Sequence, residues 1–246
     1  MTGAFINALG ILIGGLAGLA MLKPLSLRSQ IFLRFALGAG TVFFGLQLVW
    51  LSLPGTFLPG LKQIGVAVLA TIVGFWIGRL LRLQHGSNRL GRYAGRLITD
   101  AQSSPSRKKI DGLLACSILF CAAPLGALGA LADGLPPTDS PYGYCYLLAI
   151  KGVMDGMAMT GFMKIFGWPA ALSAFPVFAL FSGITLACRL GTPWLAAHGL
   201  VGPIDTVAGF IAEAIALMIF EVRRVEMANF LPGLAVAPLL AWWWLA

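Results

Sequence analysis

Ala4-Phe-Ile-Asn-Ala-Leu-Gly-Ile-Leu-Ile-Gly-Gly-Leu-Ala-Gly-Leu-Ala-Met21 runs 18 residues without a charge. About 20 mainly apolar residues at 1.5 Å each cross the hydrocarbon of a bilayer. Met1 to Ala4 hold no Lys or Arg, and the run outlasts the hydrophobic part of a secretory signal, so it reads as a retained span. Gly10, Gly14 and Gly18 recur every fourth residue, with Gly15 beside them. Small residues at that spacing let helix backbones approach closely in lipid. The stripe therefore predicts a tight helix–helix contact, either within one chain or between copies in a homo-oligomer.

Seven further segments approach the same length: residues 31–51, 64–81, 110–131, 144–166, 170–188, 206–220 and 230–246. The seventh segment of the eight is short and the last contains Pro232 and Pro238, so either is open to being re-entrant. Over 246 residues only 11% are charged and 59% are apolar, against about a quarter charged in a soluble domain. The solvent is lipid, and residues 1–246 form a single all-α transmembrane domain, a bundle of about eight helices. The net charge of +8 does not signal nucleic acid, because most basic residues occupy short loops between apolar runs.

Those loops also orient the chain. Lys23, Arg28 and Arg34, the run Arg79 to Lys109, Lys164, Arg223 and Arg224 fall on one side, and only Lys62 and Arg189 on the other, fourteen against two. Asp133 and Asp139 make the loop after the fourth segment acidic. Lys and Arg mark the cytoplasmic side, so both termini are expected outside. Residues 82–109 are the one sizeable polar stretch, expected on the cytoplasmic side. Leu90, Tyr93 and Leu97 repeat at helical spacing beside Arg89, Arg92 and Arg96, which suits a helix in the headgroup layer. Ala101-Gln-Ser-Ser-Pro-Ser-Arg107 reads as a linker.

Intramembrane charges are costly and usually face a protein interior or a water-filled cavity. Lys151 and Asp155 stand four residues apart, on one helix face within reach of each other. The structural reading is an ion pair that only fixes packing. The functional reading is a pair that a cation, proton or solute opens by competing for Asp155 and freeing Lys151. Gly152 and Gly156 thin the helix beside it. Glu213 lies mid-segment, where burial favours the neutral acid unless a cation or donor faces it. It is open to being a proton carrier, a cation ligand, a partner of Lys151 or a hydrogen-bonded acid with no further role. Asn7, Gln47 and Asn229 are uncharged polar candidates. Pro232 after Asn229, and Pro124 before Gly126 and Gly129, each remove an amide donor and predict broken helices. Such breaks often hold substrates and ions, although simple kinks are commoner.

No HExxH, GxSxG, P-loop or dinucleotide glycine fingerprint occurs, so neither enzyme nor cofactor is expected. Cys116, Cys121, Cys145 and Cys188 show no CxxC, and His85 and His198 are the only histidines, so no metal site is expected.

Several segments resemble an uncharacterised bacterial membrane family that includes the YqgA and YdfK proteins. They are Phe5-Ile-Asn-Ala-Leu-Gly-Ile-Leu-Ile-Gly-Gly-Leu-Ala-Gly18, Leu119-Phe-Cys121 before Gly126-Ala-Leu-Gly129, Ala132-Asp-Gly134, Lys151-Gly-Val-Met-Asp-Gly156 and Ala228-Asn-Phe-Leu-Pro232. The resemblance runs from end to end. It implies a bacterial inner-membrane protein, brings no substrate, and places Asn7, Lys151, Asp155, Asn229 and Pro232 in matching segments. Residues 103–109 and Trp242-Trp-Trp244 depart from it, the tryptophans suiting an outer-interface anchor.

The leading expectation is a secondary transporter or ion-coupled permease for a small solute. Segments one to three and six to eight, equal in number and opposite in direction, allow an inverted repeat. A passive channel and a structural or accessory subunit are the alternatives.

Overall fold

A computed structural model describes residues 1–21, 26–103, 108–135, 144–223 and 225–244, and among them every regular element is helical. The helices are α1 (Thr2–Ala20), α2 (Leu27–Ser52), α3 (Phe57–Leu80), α4 (Leu83–Ser103), α5 (Lys108–Ala122), α6 (Pro124–Gly134), α7 (Tyr146–Phe166), α8 (Ala174–Ala197), α9 (Val201–Ile219) and α10 (Gly233–Trp244). Short 3₁₀ turns, Trp168–Ser173 and Met227–Phe230, precede α8 and α10.

Local chemistry sets the boundaries. The Ser26 hydroxyl accepts from the Ser29 amide at 3.1 Å and caps α2. Pro124 opens α6, where its missing amide costs little. Gly167, at φ 74°, ends α7 in the left-handed region that a side chain resists.

Five helical stretches are long and apolar enough to cross a membrane: α1, α2, α3, residues 168–197 and α9. A sixth forms if α5 and α6, bent by 61° at Ala123-Pro124, count as one broken span. α7 has the length, with 21 residues, but Lys151 and Asp155 lower its hydropathy. α10 is shorter than expected. Its 12 residues rise only about 18 Å against about 30 Å of hydrocarbon, because Pro232 separates it from the 3₁₀ turn. The seventh segment is longer than expected, since α9 begins at Val201 rather than at residue 206.

Helix directions follow from which residues meet. α1 and α7 run parallel, Gly3 against Leu148, Gly10 against Gly152, Gly14 against Gly156 and Gly18 against Thr160. α6 and α8 are also parallel, Gly126 meeting Phe181 and Gly134 meeting Cys188. α2 and α9 are antiparallel, through Gly38 with Phe220 and Ser52 with Thr206. So are α3 and the final segment, through Gly78 with Asn229 and Gly74 with Gly233. Eight segments crossing alternately would have these relative directions.

The packing gives the glycine stripe a partner within the chain. The Gly10, Gly14 and Gly18 face is filled by α7 of the same chain. A Cβ at Gly10 or Gly14 would run into the backbone of Gly152 or Gly156.

Two larger apolar cores result among the described residues, one with Ile11, Met159 and Phe181 and the other with Leu48, Ala67 and Ile211, beside a small cluster of Val66, Leu200 and Ala241. α7 contributes to both, through Leu148 and Met159 and through Leu147 and Ile150. The polar helix α4 lies beside α5 with Ala94 buried and Leu97 and Ile98 packed on the first core, while Leu90 and Tyr93 stay about half exposed. Helix continues to Ser103, into the stretch expected as linker. Residues 104–107 lie outside the described residues, as do Lys23, Asp139 and Arg224.

Candidate functional site

The closest approach of α1 and α7 sets the centre of the site. With glycine on both helices, Lys151 and Asp155 sit in the bundle interior, 1% and 7% exposed, and the lysine ammonium donates to the carboxylate. Two further features hold the cation. Its Nζ lies 5.8 Å from the Phe120 ring centre and 5.4 Å from that of Phe181, within range of cation–π attraction. Its aliphatic stem passes Gly126 of α6, where a Cβ would come to 2.7 Å of the stem.

The α5–α6 break is therefore beside the charged pair. Cys121, near the end of α5, lies close enough to feel both charges. A helix C-terminus carries partial negative charge and an N-terminus partial positive charge. The break thus adds polar helix ends to a region that is otherwise apolar. Asn7 of α1 packs against Gly152 and beside Asp155. It is fully buried and its side chain reaches the Asp155 carboxylate, although among the described residues no contact it makes has ordinary hydrogen-bond geometry. Buried polar groups are nearly always paired, and Asp155 is the polar side chain that Asn7 reaches.

The other sequence candidates lie elsewhere. Glu213 of α9 rests against Gly45 of α2, half-buried, with Oε1 unpartnered among the described residues. The partner of Lys151 is Asp155, so the reading of Glu213 as its salt-bridge partner fails. Gln47 accepts from the Tyr144 hydroxyl at 3.2 Å, and the same hydroxyl donates to the Phe44 carbonyl. Asn229 has a capping role, its side-chain oxygen accepting from the Gln84 amide at 3.1 Å and its nitrogen donating to Glu226 at 2.8 Å. That ties the final segment to the start of α4. Pro124 and Pro232 do mark helix breaks, only the first beside the pair.

An open cavity of about 400 Å³ lies between α2 and α7, lined by Gln30, Arg34, Leu37, Met154, Met157 and Thr160 among others. Arg34 also pairs with Glu221. The α7 side of the cavity begins at Met154, one turn beyond Lys151, and neither Lys151 nor Asp155 lines it.

Sequence reasoning missed Asp205. It is fully buried, and among the described residues neither carboxylate oxygen has a partner. The signal was Gly202-Pro203, a helix start that draws Asp205 into α9.

The chain matches the family described as Protein of unknown function (DUF554) over residues 2–242, and it belongs to that family. It is 27% identical over 243 residues to the uncharacterized protein YqgA of Escherichia coli (strain K12), covering 98% of this chain and 97% of the relative. It is 24% identical over 240 residues to the uncharacterized membrane protein YdfK of Bacillus subtilis (strain 168), covering 98% and 95%. No solved structure matches.

Proposed function

We propose that this membrane protein of the DUF554 family is a secondary transporter, a carrier rather than an enzyme, for a small solute, with its site at Lys151, Asp155 and Asn7. One observation carries the reading. A buried ion pair lies beside a fully buried asparagine, at a helix break and at a glycine-thinned crossing. A pair serving only packing has no need of the neighbouring amide or the break. A proton or cation arriving at Asp155 would weaken its hold on Lys151. The freed ammonium, together with Asn7, then holds an anionic or polar group of the solute.

The cavity beside Met154 provides the inner vestibule, with the Arg34–Glu221 pair at its edge. The charge split between loops supports a bacterial inner-membrane orientation with both termini outside. An inverted repeat draws support from the pairings α1 with α8, α2 with α9 and α3 with α10, each joining helices at equivalent places in the first and last three segments.

Uptake into proteoliposomes under an imposed pH or sodium gradient tests the reading. Asp155→Asn, whose amide oxygen still accepts from Lys151, is expected to insert and fold with a lowered melting temperature yet lose gradient-driven uptake entirely. Wild-type uptake in that variant would sink the proposal.

A further inference from the structure

Asp205 stands apart from the Lys151 site and from every role argued above. It sits in the first turns of α9 with no measurable exposure. Around it the bundle is closed. Tyr144, at the entry to α7, and Cys188 of α8 lie close enough to feel its charge. Leu135 and Leu200 are buried at the same end of the bundle, and Gly134 packs against Cys188.

Among the described residues, the polar groups at this end of the bundle are engaged elsewhere. The Tyr144 hydroxyl donates to the Phe44 carbonyl and towards Gln47. Gln63 of α3 donates to the Ser52 carbonyl and the Thr206 hydroxyl, both at 2.8 Å. Thr206 in turn donates to the Gly202 carbonyl at 2.8 Å. Asp133 of α6, a second acid at this end, is held by the Met1 ammonium at 3.0 Å and by the Gly3 amide at 3.2 Å. Lys62 is exposed, and no described salt bridge reaches Asp205.

Among the described residues no donor and no counter-charge meets this fully buried carboxylate, and the desolvation cost of an unpaired buried ion is several kcal/mol. Two ligands would relieve it, a proton or a metal cation. A metal needs several converging ligands, and among the described residues no three His, Cys, Asp or Glu side chains gather into such a set. A proton needs only one carboxylate oxygen.

We propose that Asp205 is a proton-binding site, its carboxylate taking up one proton from water and holding it as the neutral acid when the bundle is closed as seen here. Among the described residues, Tyr144 and Cys188 are the titratable side chains close enough to feel its charge, and Gln63 of α3 bonds the adjacent Thr206. The site lies towards the end of the bundle where Tyr144 enters α7, seven residues before Lys151, or about 10 Å of helix rise. It is thus a second protonatable station beyond the ion pair. The inference does not depend on the transport reading, because the proton is bound whether or not a solute is moved.

Infrared spectroscopy of the full chain in lipid nanodiscs, without any solute, tests it. Protein grown with ¹³C-carboxyl aspartate should show a neutral carboxylic acid carbonyl band near neutral pH, displaced by the label. The band should survive Asp155→Asn and disappear in Asp205→Asn, whose amide is nearly isosteric with the neutral acid and should leave the melting temperature within a few degrees. Should Asp205→Asn fail to fold, Asp205→Glu decides. It keeps the acid but takes it out of the aspartate label, so the band should return to its unlabelled position. A labelled wild type with no such band across the neutral range, or a band that Asp205→Asn leaves undiminished, overturns the assignment.

Discussion

Lys151 and Asp155 show how little a side chain's sequence neighbourhood says about its cost. Each is a charge in an apolar interior, and each is tolerable only because the other is there. Breaking a buried pair leaves one ion uncompensated and costs about 3–5 kcal/mol, whereas replacing both partners with apolar residues of similar volume is often neutral. Lys151→Met alone and Asp155→Leu alone should each lower the unfolding midpoint sharply, and the double substitution should recover most of the loss. Thermal unfolding in detergent checks this. If instead the double variant is as unstable as the singles, the interior holds further polar structure that depends on the pair. The pair itself was legible in the sequence from its i, i+4 spacing. Asp205 was not, because a segment drawn to begin at residue 206 leaves it in a loop. Nor does any pattern along the chain say that Tyr144 and Cys188 will close over it.

For the helices, spacing reveals that a face packs but not what it packs against. The glycine stripe of α1 predicted close contact, and the structure supplies the partner in α7, through Gly152 and Gly156. Gly14→Leu should therefore separate α1 from α7 and destabilise the fold by the upper end of about 1–3 kcal/mol or more. Leu16→Val, on the exposed side of the same helix, should change little. Size-exclusion profiles and melting curves distinguish the two, and equal behaviour would contradict the α1–α7 packing. Asn229 and Glu213 teach the converse. Each was legible as a polar residue inside an apolar run, yet one caps the start of α4 and the other faces Gly45 of α2. Which face of a helix meets which neighbour depends on tertiary directions that hydropathy does not encode.

At the scale of the whole molecule, composition was enough for the class of fold, since 11% charged residues over 246 positions fit only a chain built for lipid. The number of crossings was harder to read, because α7 is polar for its length and α10 is short. The proposed orientation predicts that Gly55→Cys, between α2 and α3, reacts with a membrane-impermeant maleimide added to whole cells. Gly95→Cys, on α4, should be protected until the membrane is opened. The reverse pattern would invert the orientation and place the α2–α7 cavity outside.

The central claim, that Lys151, Asp155 and Asn7 form a ligand site and not merely a buried pair, is tested most directly by ligand-dependent stability. Purified protein would be melted against a panel of organic acids, amino acids, sugars, nucleosides and alkali cations at several pH values, with Asp155→Asn in parallel. A ligand that binds only the folded state raises the melting temperature by mass action, by about 2.7 kcal/mol of stability at a hundredfold excess over its Kd. The account predicts a reproducible shift in the wild type that is lost in Asp155→Asn. A shift of equal size in both proteins would place the binding site elsewhere and contradict it.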